Sequence, residues 1–378
     1  MLDWLYARSL ASPKALALEM GDEQLHYAEL QALSAQYAGY LEALGLAKGQ
    51  RVGLMMMSSF AYVALIHALL RLNAVIVPLN SRLTAEELDY QLAKVGLSYL
   101  IYDEALADYG GQQHLCQGLF LDELGSEAKK VNPLYQAEVS LEDEAIIIFS
   151  SGTTGKPKGV CLSLGNVFYS AVGSSHRLGT LPHDLWLSVL PFYHIGGLSI
   201  LLRSCLYGTA ALLHPRFELE TIHHDLIHKP VTLVSLVPTM LYRLLTLSPQ
   251  AYNAQFRLAL LGGAATRSEL VEEAHKRKIS LATSYGLSEA ASQVATALMP
   301  EVIAKAGTVG KGLMLTQISI REGDLTLGQG QVGEICVKGP NVMQGYLNDE
   351  KASQKSLRSG WLYSGDMGYL DDEGSLLS

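Results

Sequence analysis

Hydrophobic positions in the first hundred residues alternate between a helical and a strand period. Leucines and tyrosines recur at helical spacing over 25–45 and stop at Gly45, and the segment RVGLMMM at 51–57, which is apolar after Arg51, predicts a strand. A later helix begins with the capping pair Thr84 and Glu87. Alternating helices and strands favour a mostly parallel sheet. The other predicted elements of this region are helices near 59–72 and 84–95 and strands at 74–78 and 98–102.

The alternation resumes after a weak, polar connection at 103–140. A strand at 145–149 runs into a polar loop, whereas the later strands of this part precede helical sequence. Beyond about residue 305 short strands are punctuated by glycine. The pattern therefore predicts an α/β fold with two sheets and a small β-rich subdomain. The later predicted strands are 186–190, 231–237, 257–261 and 333–339, and the predicted subdomains are 1–140, 141–304 and 305–378.

Composition narrows the class of protein. The 378 residues carry a formal net charge of −9, with 49% hydrophobic and 17% charged residues, which predicts a globular chain of two or more lobes. Negative charge argues against nucleic acid or an anionic membrane as the main partner. The apolar stretch at 60–80 is interrupted by His67, Arg71 and Asn73, which favours a buried helix and strand over a membrane span. The four cysteines lie far apart and the N-terminus lacks signal-peptide character, so we expect a cytoplasmic protein with reduced thiols.

The segment IIIFSSGTTGKPKGV at 146–160 has the chemistry of a polyphosphate-binding loop. Glycines let backbone N–H groups approach an anion, hydroxyls donate hydrogen bonds and lysines supply positive charge. The Walker pattern does not fit, because Gly159 follows Lys158 and Pro157 interrupts the loop where a helix should begin. A flexible surface loop with solvated lysines is the alternative, and the complete string argues against it. The groups concerned are Ser150, Ser151, Gly152, Thr153, Thr154, Gly155, Lys156, Lys158 and Gly159.

This loop resembles that of the adenylate-forming enzymes, the family of acyl-CoA synthetases, luciferase and peptide-synthetase adenylation domains. Other segments match in the family's order: LPFYHIGG at 190–197, LLGGAA at 260–265, SYGLSEAAS at 284–292, GEICVKGPNVMQGY at 333–346 and YSGDMGYLDDEG at 363–374. The resemblance implies two stacked, mostly parallel sheets flanked by helices, with the β-rich part as a distorted barrel. It also implies that a carboxylic acid reacts with ATP and Mg²⁺ to give an acyl-adenylate, which the thiol of CoA then attacks.

The resemblance assigns nucleotide contacts to several residues. Glu289 matches the glutamate that holds Mg²⁺, and Ser288 stands before it where the family usually has threonine. Asp366 matches the carboxylate that accepts hydrogen bonds from the ribose hydroxyls. The alternatives are a helix N-terminus at Ser288 and Glu289 and a simple turn at Asp366. The other implied nucleotide contacts are Gly262, Gly263, Ala264, Ser284, Tyr285 and Gly286, and the implied catalytic residues are Thr153, Lys158, His194 and Glu289.

On the acid side, His194 matches a position beside the acyl carboxylate, with Gly196 close by in the same motif. A hydrogen-bonded core histidine is an equally weighted alternative for His194. The segments at 186–208 and 233–245 are similar to the branch of the family that converts o-succinylbenzoate to its CoA thioester in menaquinone biosynthesis, and another medium-chain or aryl acyl-CoA ligase is the rival. That acid has a second carboxylate, for which Arg203 is the candidate ligand. A helix-surface arginine is the alternative for Arg203.

Family members continue past the YSGDMGYLDDEG segment into a mobile C-terminal domain that carries an essential lysine. Because this sequence ends at Ser378, we expect it to represent the large N-terminal domain, which binds ATP and the adenylate but turns over poorly. A nucleotide-binding domain without turnover is the competing class. The expected partners are an acid, ATP and CoA, and the sequence leaves room for a homo-oligomer.

Overall fold

Helices and strands alternate along most of the chain. The computed structural model describes residues 1–107, 115–150 and 156–378. The helices are α1 (Trp4–Ala11), α2 (Tyr27–Ala43), α3 (Phe60–Arg71), α4 (Ala85–Val95), α5 (Leu121–Ala128), α6 (Leu164–Leu178), α7 (Ile195–Tyr207), α8 (Leu219–His228), α9 (Pro238–Leu247), α10 (Ser268–Lys276), α11 (Met299–Ala304) and α12 (Glu350–Ser356), with 3₁₀ turns at Glu104–Leu106 and Ser288–Ala290.

The strands are shorter, as expected for buried sheets. They are β1 (Leu16–Met20), β2 (Glu23–His26), β3 (Arg51–Met55), β4 (Val75–Pro78), β5 (Tyr99–Tyr102), β6 (Gln117–Phe120), β7 (Glu144–Ser150), β8 (Lys158–Ser163), β9 (Leu185–Ser188), β10 (Ala210–Leu213), β11 (Leu233–Leu236), β12 (Leu258–Leu261), β13 (Leu281–Leu287), β14 (Ser292–Leu298), β15 (Thr308–Gly312), β16 (Gln317–Glu322), β17 (Leu325–Thr326), β18 (Gly333–Lys338), β19 (Gly345–Tyr346), β20 (Leu357–Arg358), β21 (Trp361–Leu370) and β22 (Leu376–Leu377).

The smaller sheet joins parallel strands to an antiparallel hairpin. Its order in the described residues is β19-β8-β7-β4-β3-β5-β6. The strands from β3 to β7 are parallel neighbours, whereas β7 and β8 are antiparallel, with Ser150 opposite Lys158. The hairpin therefore places both ends of the predicted phosphate loop side by side.

The larger sheet has a parallel centre and an antiparallel extension. The parallel neighbours are β1, β10, β9, β11, β12 and β13, and β14 pairs antiparallel with β13. The complete path is β2-β1-β10-β9-β11-β12-β13-β14-β15-β22-β21-β18-β16-β17, with β20 beside β21. Within the described residues this path is open. The β-rich part after residue 305 thus continues the larger sheet, and does not close into the distorted barrel that the resemblance implies.

A layer of helices separates the two sheets. Helices α2, α3, α6 and α7 contribute to one apolar cluster with Ile146 and Ile148 of the smaller sheet and Leu260 of the larger. The opposite face of the smaller sheet, which includes Ile147, packs with α4. The opposite face of the larger sheet, which includes Leu261, packs with α8, α9, α10 and α11. Successive strand residues point to opposite faces, which explains this division. The predicted α/β fold of two stacked sheets flanked by helices is confirmed.

Most predicted elements occur where the apolar pattern places them. The helix predicted over 25–45 is α2, and α4 has the predicted capping box, with the Glu87 N–H donating to Thr84 Oγ1 at 3.3 Å. The connection at 103–140 also contains β6 and α5, which are too short to show a clear period. Each sheet takes strands from more than one predicted subdomain, so the three-part division stays a prediction. None of the helices in the described ranges is long and apolar enough to cross a membrane.

Candidate active site

Several predicted site residues meet at the carboxyl ends of the parallel strands of the larger sheet. β12 leads into residues 262–264, and its neighbour β13 carries Ser284 and Gly286. The Ser284 hydroxyl donates to the Leu261 carbonyl at 3.0 Å, which ties the two segments together. A Cβ atom at Gly286 would overlap the Ser292 carbonyl, so this close approach requires glycine. In open α/β sheets, ligands bind in the crevice at this edge.

A cavity of about 580 Å³ beside this edge has the lining expected for a nucleotide. The Tyr285 hydroxyl donates to Asp366 Oδ2 at 2.7 Å. Burial raises the pKa of Tyr285, so the phenol keeps its proton and remains a donor at neutral pH. Asp366 lies exposed on β21, where its carboxylate can accept hydrogen bonds from a ligand. The predicted residues that line this cavity are Gly263, Ala264, Ser284, Tyr285, Gly286 and Asp366.

The phosphate side of the site is organised around Tyr346. The ammonium nitrogen of Lys158 lies 4.9 Å from the centroid of the Tyr346 ring. The hydroxyl of the same tyrosine donates to Glu289 Oε1 at 3.1 Å. Lys156 is exposed, and its ammonium lies 5.1 Å from the centroid of the Tyr90 ring. The structure therefore brings Lys158 and Glu289, which are far apart in sequence, to one aromatic side chain.

Part of the predicted phosphate loop lies outside the described residues. Its members there are Ser151, Gly152, Thr153, Thr154 and Gly155, and their contacts stay predictions. Ser150 ends β7 directly before them. Ser288 and Glu289 lie in a single 3₁₀ turn that has no side-chain cap, so the alternative of a helix N-terminus is wrong.

Glu289 fits the way in which proteins hold Mg²⁺. Over the described ranges no group of three His, Cys, Asp or Glu side chains could hold a metal ion. Mg²⁺ usually takes only one or two protein carboxylates and completes its shell with water and substrate phosphates. The half-buried Glu289 carboxylate, next to Lys158 through Tyr346, suits that arrangement.

A second cavity of about 390 Å³ adjoins the first and shares Gly263, Ser284 and Gly286 with it. His194 precedes α7 and lines this cavity, and much of its surface is accessible to solvent although its ring is partly enclosed, so the alternative of a core histidine is wrong. Partial burial and the charge of Arg82 lower the pKa of His194, which keeps the imidazole neutral at pH 7. Other predicted residues that line this cavity are Gly196, Arg203, Gly262 and Ser288.

Arg203 is a buried charge in the wall of the second cavity. It is 2% exposed, so the alternative of a helix-surface arginine is wrong. Its Nη1 donates to Gln293 Oε1 at 2.8 Å and its Nη2 donates to Ser170 Oγ at 3.2 Å. Its Nε is buried and has no partner within residues 1–107, 115–150 and 156–378. Both partners are neutral, and the arginine ion pairs found among the described residues involve other arginines. The cavity therefore has an uncompensated cation in its wall.

A third cavity, of about 610 Å³, lies beyond Leu190 and Pro191, which also line the second. It carries three arginines, Arg82, Arg216 and Arg243. The sequence pattern did not indicate this cavity, because its arginines come from separate segments that meet only in the fold.

Tyr346 and Gln293 also escaped prediction. Tyr346 ends the matching segment GEICVKGPNVMQGY, and the sequence alone assigned no role to its ring. Gln293 is a buried polar residue in the apolar strand β14. A polar residue inside an apolar strand is the signal that could have found it.

Comparison with known proteins gives three findings. Residues 6–347 match the sequence model of the family described as AMP-binding enzyme. The curated 2-succinylbenzoate–CoA ligase of Bacillus cereus (strain Q1) is 37% identical over 377 residues, covering 100% of this chain and 77% of that protein. Two solved structures of o-succinylbenzoate CoA synthetase (MenE) from Bacillus subtilis both have a TM-score of 0.94. The structure with the acyl-adenylate intermediate OSB-AMP is 36% identical, with 100% of this chain and 77% of that chain covered. The structure with ATP and magnesium ion is 35% identical, with 100% and 79% covered.

Proposed function

The chain belongs to the AMP-binding enzyme family, and from this we propose that it activates 2-succinylbenzoate with ATP and transfers the acyl group to CoA, a step of menaquinone biosynthesis. The observation that carries the proposal is the uncompensated Arg203 in a cavity next to the nucleotide cavity. This acid has a second carboxylate, which the guanidinium can bind with charge-assisted hydrogen bonds. A fatty acid would leave the buried cation unpaired, which disfavours that alternative.

In the first step, a carboxylate oxygen of the succinyl group attacks the α-phosphorus of ATP. The new acyl–oxygen–phosphorus linkage forms as the bond to pyrophosphate breaks, and pyrophosphate leaves with the electron pair. Two anions must approach each other, so positioning and charge neutralisation contribute most of the catalysis. Lys158 supplies positive charge near the phosphate loop, while Asp366 and Tyr285 hold the ribose and adenine.

Glu289 would hold Mg²⁺, which supplies charge neutralisation on the phosphates when it is bound. The Tyr346 hydroxyl fixes the Glu289 carboxylate, since it donates to Oε1 at 3.1 Å. The ammonium of Lys158 lies over the same ring, and this position would keep its charge near the phosphates of bound ATP.

A neutral His194 suits the attacking carboxylate. A protonated imidazole beside it would form an ion pair and lower the nucleophilicity of the oxygen. Because partial burial and Arg82 lower the pKa of His194, the imidazole can orient the carboxylate by a hydrogen bond without adding charge.

In the second step, the sulfur of CoA attacks the carbonyl carbon of the adenylate. The carbon–sulfur bond forms, the bond to the phosphate oxygen breaks and AMP leaves, while the thiol proton passes to solvent. CoA carries several phosphates, and the third cavity with Arg82, Arg216 and Arg243 offers the guanidinium groups that suit them.

Binding of nonhydrolysable acyl-adenylate analogues tests the proposal. We expect the succinylbenzoyl analogue to raise the melting temperature more than a fatty acyl or benzoyl analogue, since a ligand at 100 times its Kd stabilises the folded state by about 2.7 kcal/mol. Equal shifts for all analogues would contradict the proposed acid. If neither the analogues nor AMP raise the melting temperature, the result would support a domain with another role.

The poor turnover expected for this polypeptide stays a prediction. It is measured by thioester formation from 2-succinylbenzoate, ATP and CoA, with the analogue-binding assay as proof that the site is intact. Robust thioester formation by this polypeptide alone would contradict it.

A further inference from the structure

We propose that Gln293 is a positioning residue that keeps Arg203 available for the second carboxylate of the acid, and so sets the preference for dianionic over monoanionic acids. This inference rests on the proposed function. Gln293 lies on β14 of the larger sheet, and Arg203 lies on α7. The glutamine therefore contacts the arginine from a different element.

The hydrogen bonds of Gln293 fix the orientation of its amide. Gln293 Oε1 accepts from Arg203 Nη1 at 2.8 Å and from Ser174 Oγ at 2.8 Å. Its Nε2 donates to Thr296 Oγ1 at 3.0 Å. A guanidinium can only donate, so the oxygen of the amide must face Arg203. The side chain is 3% exposed and has little room to adopt another arrangement.

Ser170 holds the guanidinium from a second direction. Its hydroxyl donates to the Ala291 carbonyl at 2.6 Å, so a lone pair remains to accept from Arg203 Nη2 at 3.2 Å. Gln293 and Ser170 therefore fix the position of the guanidinium without neutralising its charge. Arg203 lines the cavity, and its Nε–H is buried without a partner among the described residues.

The choice of an amide at position 293 decides what the cavity attracts. A glutamate there has nearly the same shape but would form a buried ion pair with Arg203. A dianionic acid would then meet a neutral pair instead of a cation, and its second carboxylate would lose its partner. A monoanionic acid of the same shape makes no such contact and is affected little.

The experiment compares two sulfamoyl-adenosine analogues by titration calorimetry. One carries the succinylbenzoyl group, and the other carries the same group without the ring carboxylate. The measured quantity is the ratio of their two Kd values in the wild-type protein, Gln293→Glu and Gln293→Leu. We expect the wild-type preference for the dianionic analogue to fall by about 10- to 100-fold in Gln293→Glu, the range of a charge-assisted hydrogen bond. We expect a smaller fall in Gln293→Leu, which leaves the cation but removes its support.

Gln331→Glu is the matched control. Gln331 is exposed, and its Oε1 accepts from the Gly328 N–H at 2.7 Å, which a glutamate oxygen can also do. This variant makes the same charge change away from the cavity, and we expect the wild-type ratio. AMP binding and thermal melting show that each variant is folded.

The outcomes separate the two proposals. A wild-type preference that persists in both Gln293 variants overturns the role of Gln293 and leaves the proposed function intact. A wild-type protein that binds both analogues equally overturns the proposed acid and this inference with it. If Gln293→Glu weakens the binding of both analogues equally, the ratio of their Kd values keeps its wild-type value. That result also overturns the positioning role.

Discussion

Arg71 and Arg203 are equally buried, at 1% and 2% exposed, but the fold satisfies them in different ways. Arg71 Nε and Nη2 donate to the two carboxylate oxygens of Asp3 at 3.0 and 3.2 Å, and Nη2 also donates to Gln31 Oε1 at 2.5 Å. Arg203 likewise donates to a glutamine oxygen, but the described part of the chain offers it no carboxylate partner. One cation is neutralised inside the protein, and the other is not.

We propose that this difference separates a structural charge from a ligand-binding charge. A buried charge is tolerated when it is paired and hydrogen-bonded, and Asp3 supplies such a partner for Arg71. Asp3 also caps α1, since its carboxylate accepts a hydrogen bond from the Tyr6 N–H. This cluster ties α1 to α3. Arg203 lies in a cavity wall, where an anion from solution can supply the missing partner.

Removing Arg71 should produce the largest effect on stability. In Arg71→Leu the Asp3 carboxylate stays buried without its partner, so we expect the free energy of unfolding to fall by about 3–5 kcal/mol. Urea denaturation measures this. The control is Lys48→Ala, which removes the exposed ion pair of Lys48 with Asp143 and should cost less than about 1 kcal/mol. Equal losses in the two variants would contradict a structural role for the Arg71 cluster.

Removing Arg203 should affect binding instead of stability. We expect Arg203→Leu to weaken the binding of the succinylbenzoyl-adenylate analogue by about 10- to 100-fold, because the second carboxylate of the analogue loses a charged donor. The free energy of unfolding should fall much less than in Arg71→Leu, since no buried carboxylate is left unpaired. Calorimetry and urea denaturation of the same samples measure both quantities. Unchanged affinity for this analogue would remove the assignment of Arg203.

Acid should lower the free energy of unfolding through His67, whose ionisation is influenced by the charges of Asp3 and Arg71. Burial lowers the pKa of His67 from 6.5 to about 4, with a smaller opposing contribution from Asp3. The unfolded chain binds a proton below pH 6.5 while the folded protein does not. The stability that neutral His67 contributes is therefore complete above pH 6.5 and is lost as pH falls towards 4, by about 2 kcal/mol at pH 5. Urea denaturation at pH 7 and pH 5 should show a smaller difference in His67→Leu than in the wild-type protein. Equal differences would contradict this assignment.

Removing one hydroxyl from the nucleotide cavity should produce the smallest effect. Tyr285→Phe loses the donor to Asp366, and we expect AMP to bind about 2- to 10-fold more weakly. The ratio of Kd values for the dianionic and monoanionic analogues should stay at the wild-type value, since Arg203 is untouched. A changed ratio would show that the two cavities do not select their ligands independently.

The sequence predicted the parts of this protein that depend on local pattern. The long helix α2 and the apolar strands follow from periodicity, because burial of one face imposes a period of 3.6 or 2 residues. The phosphate loop and the order of the matching segments indicated adenylate chemistry. The placement of Glu289 near Lys158 could not be read from either segment alone, since Tyr346 brings them together from a third.

The sequence by itself determined the two-sheet fold and the class of chemistry. Only the tertiary structure decided how the two buried arginines are paired. In the sequence Arg71 is merely a break in an apolar stretch, and Arg203 is a candidate ligand that a helix-surface position would explain equally well. Their partners, Asp3 and Gln293, lie 68 and 90 residues away along the chain. The energy of a buried charge depends on which groups lie within a few ångströms of it, and only the packing of helices against strands fixes those groups.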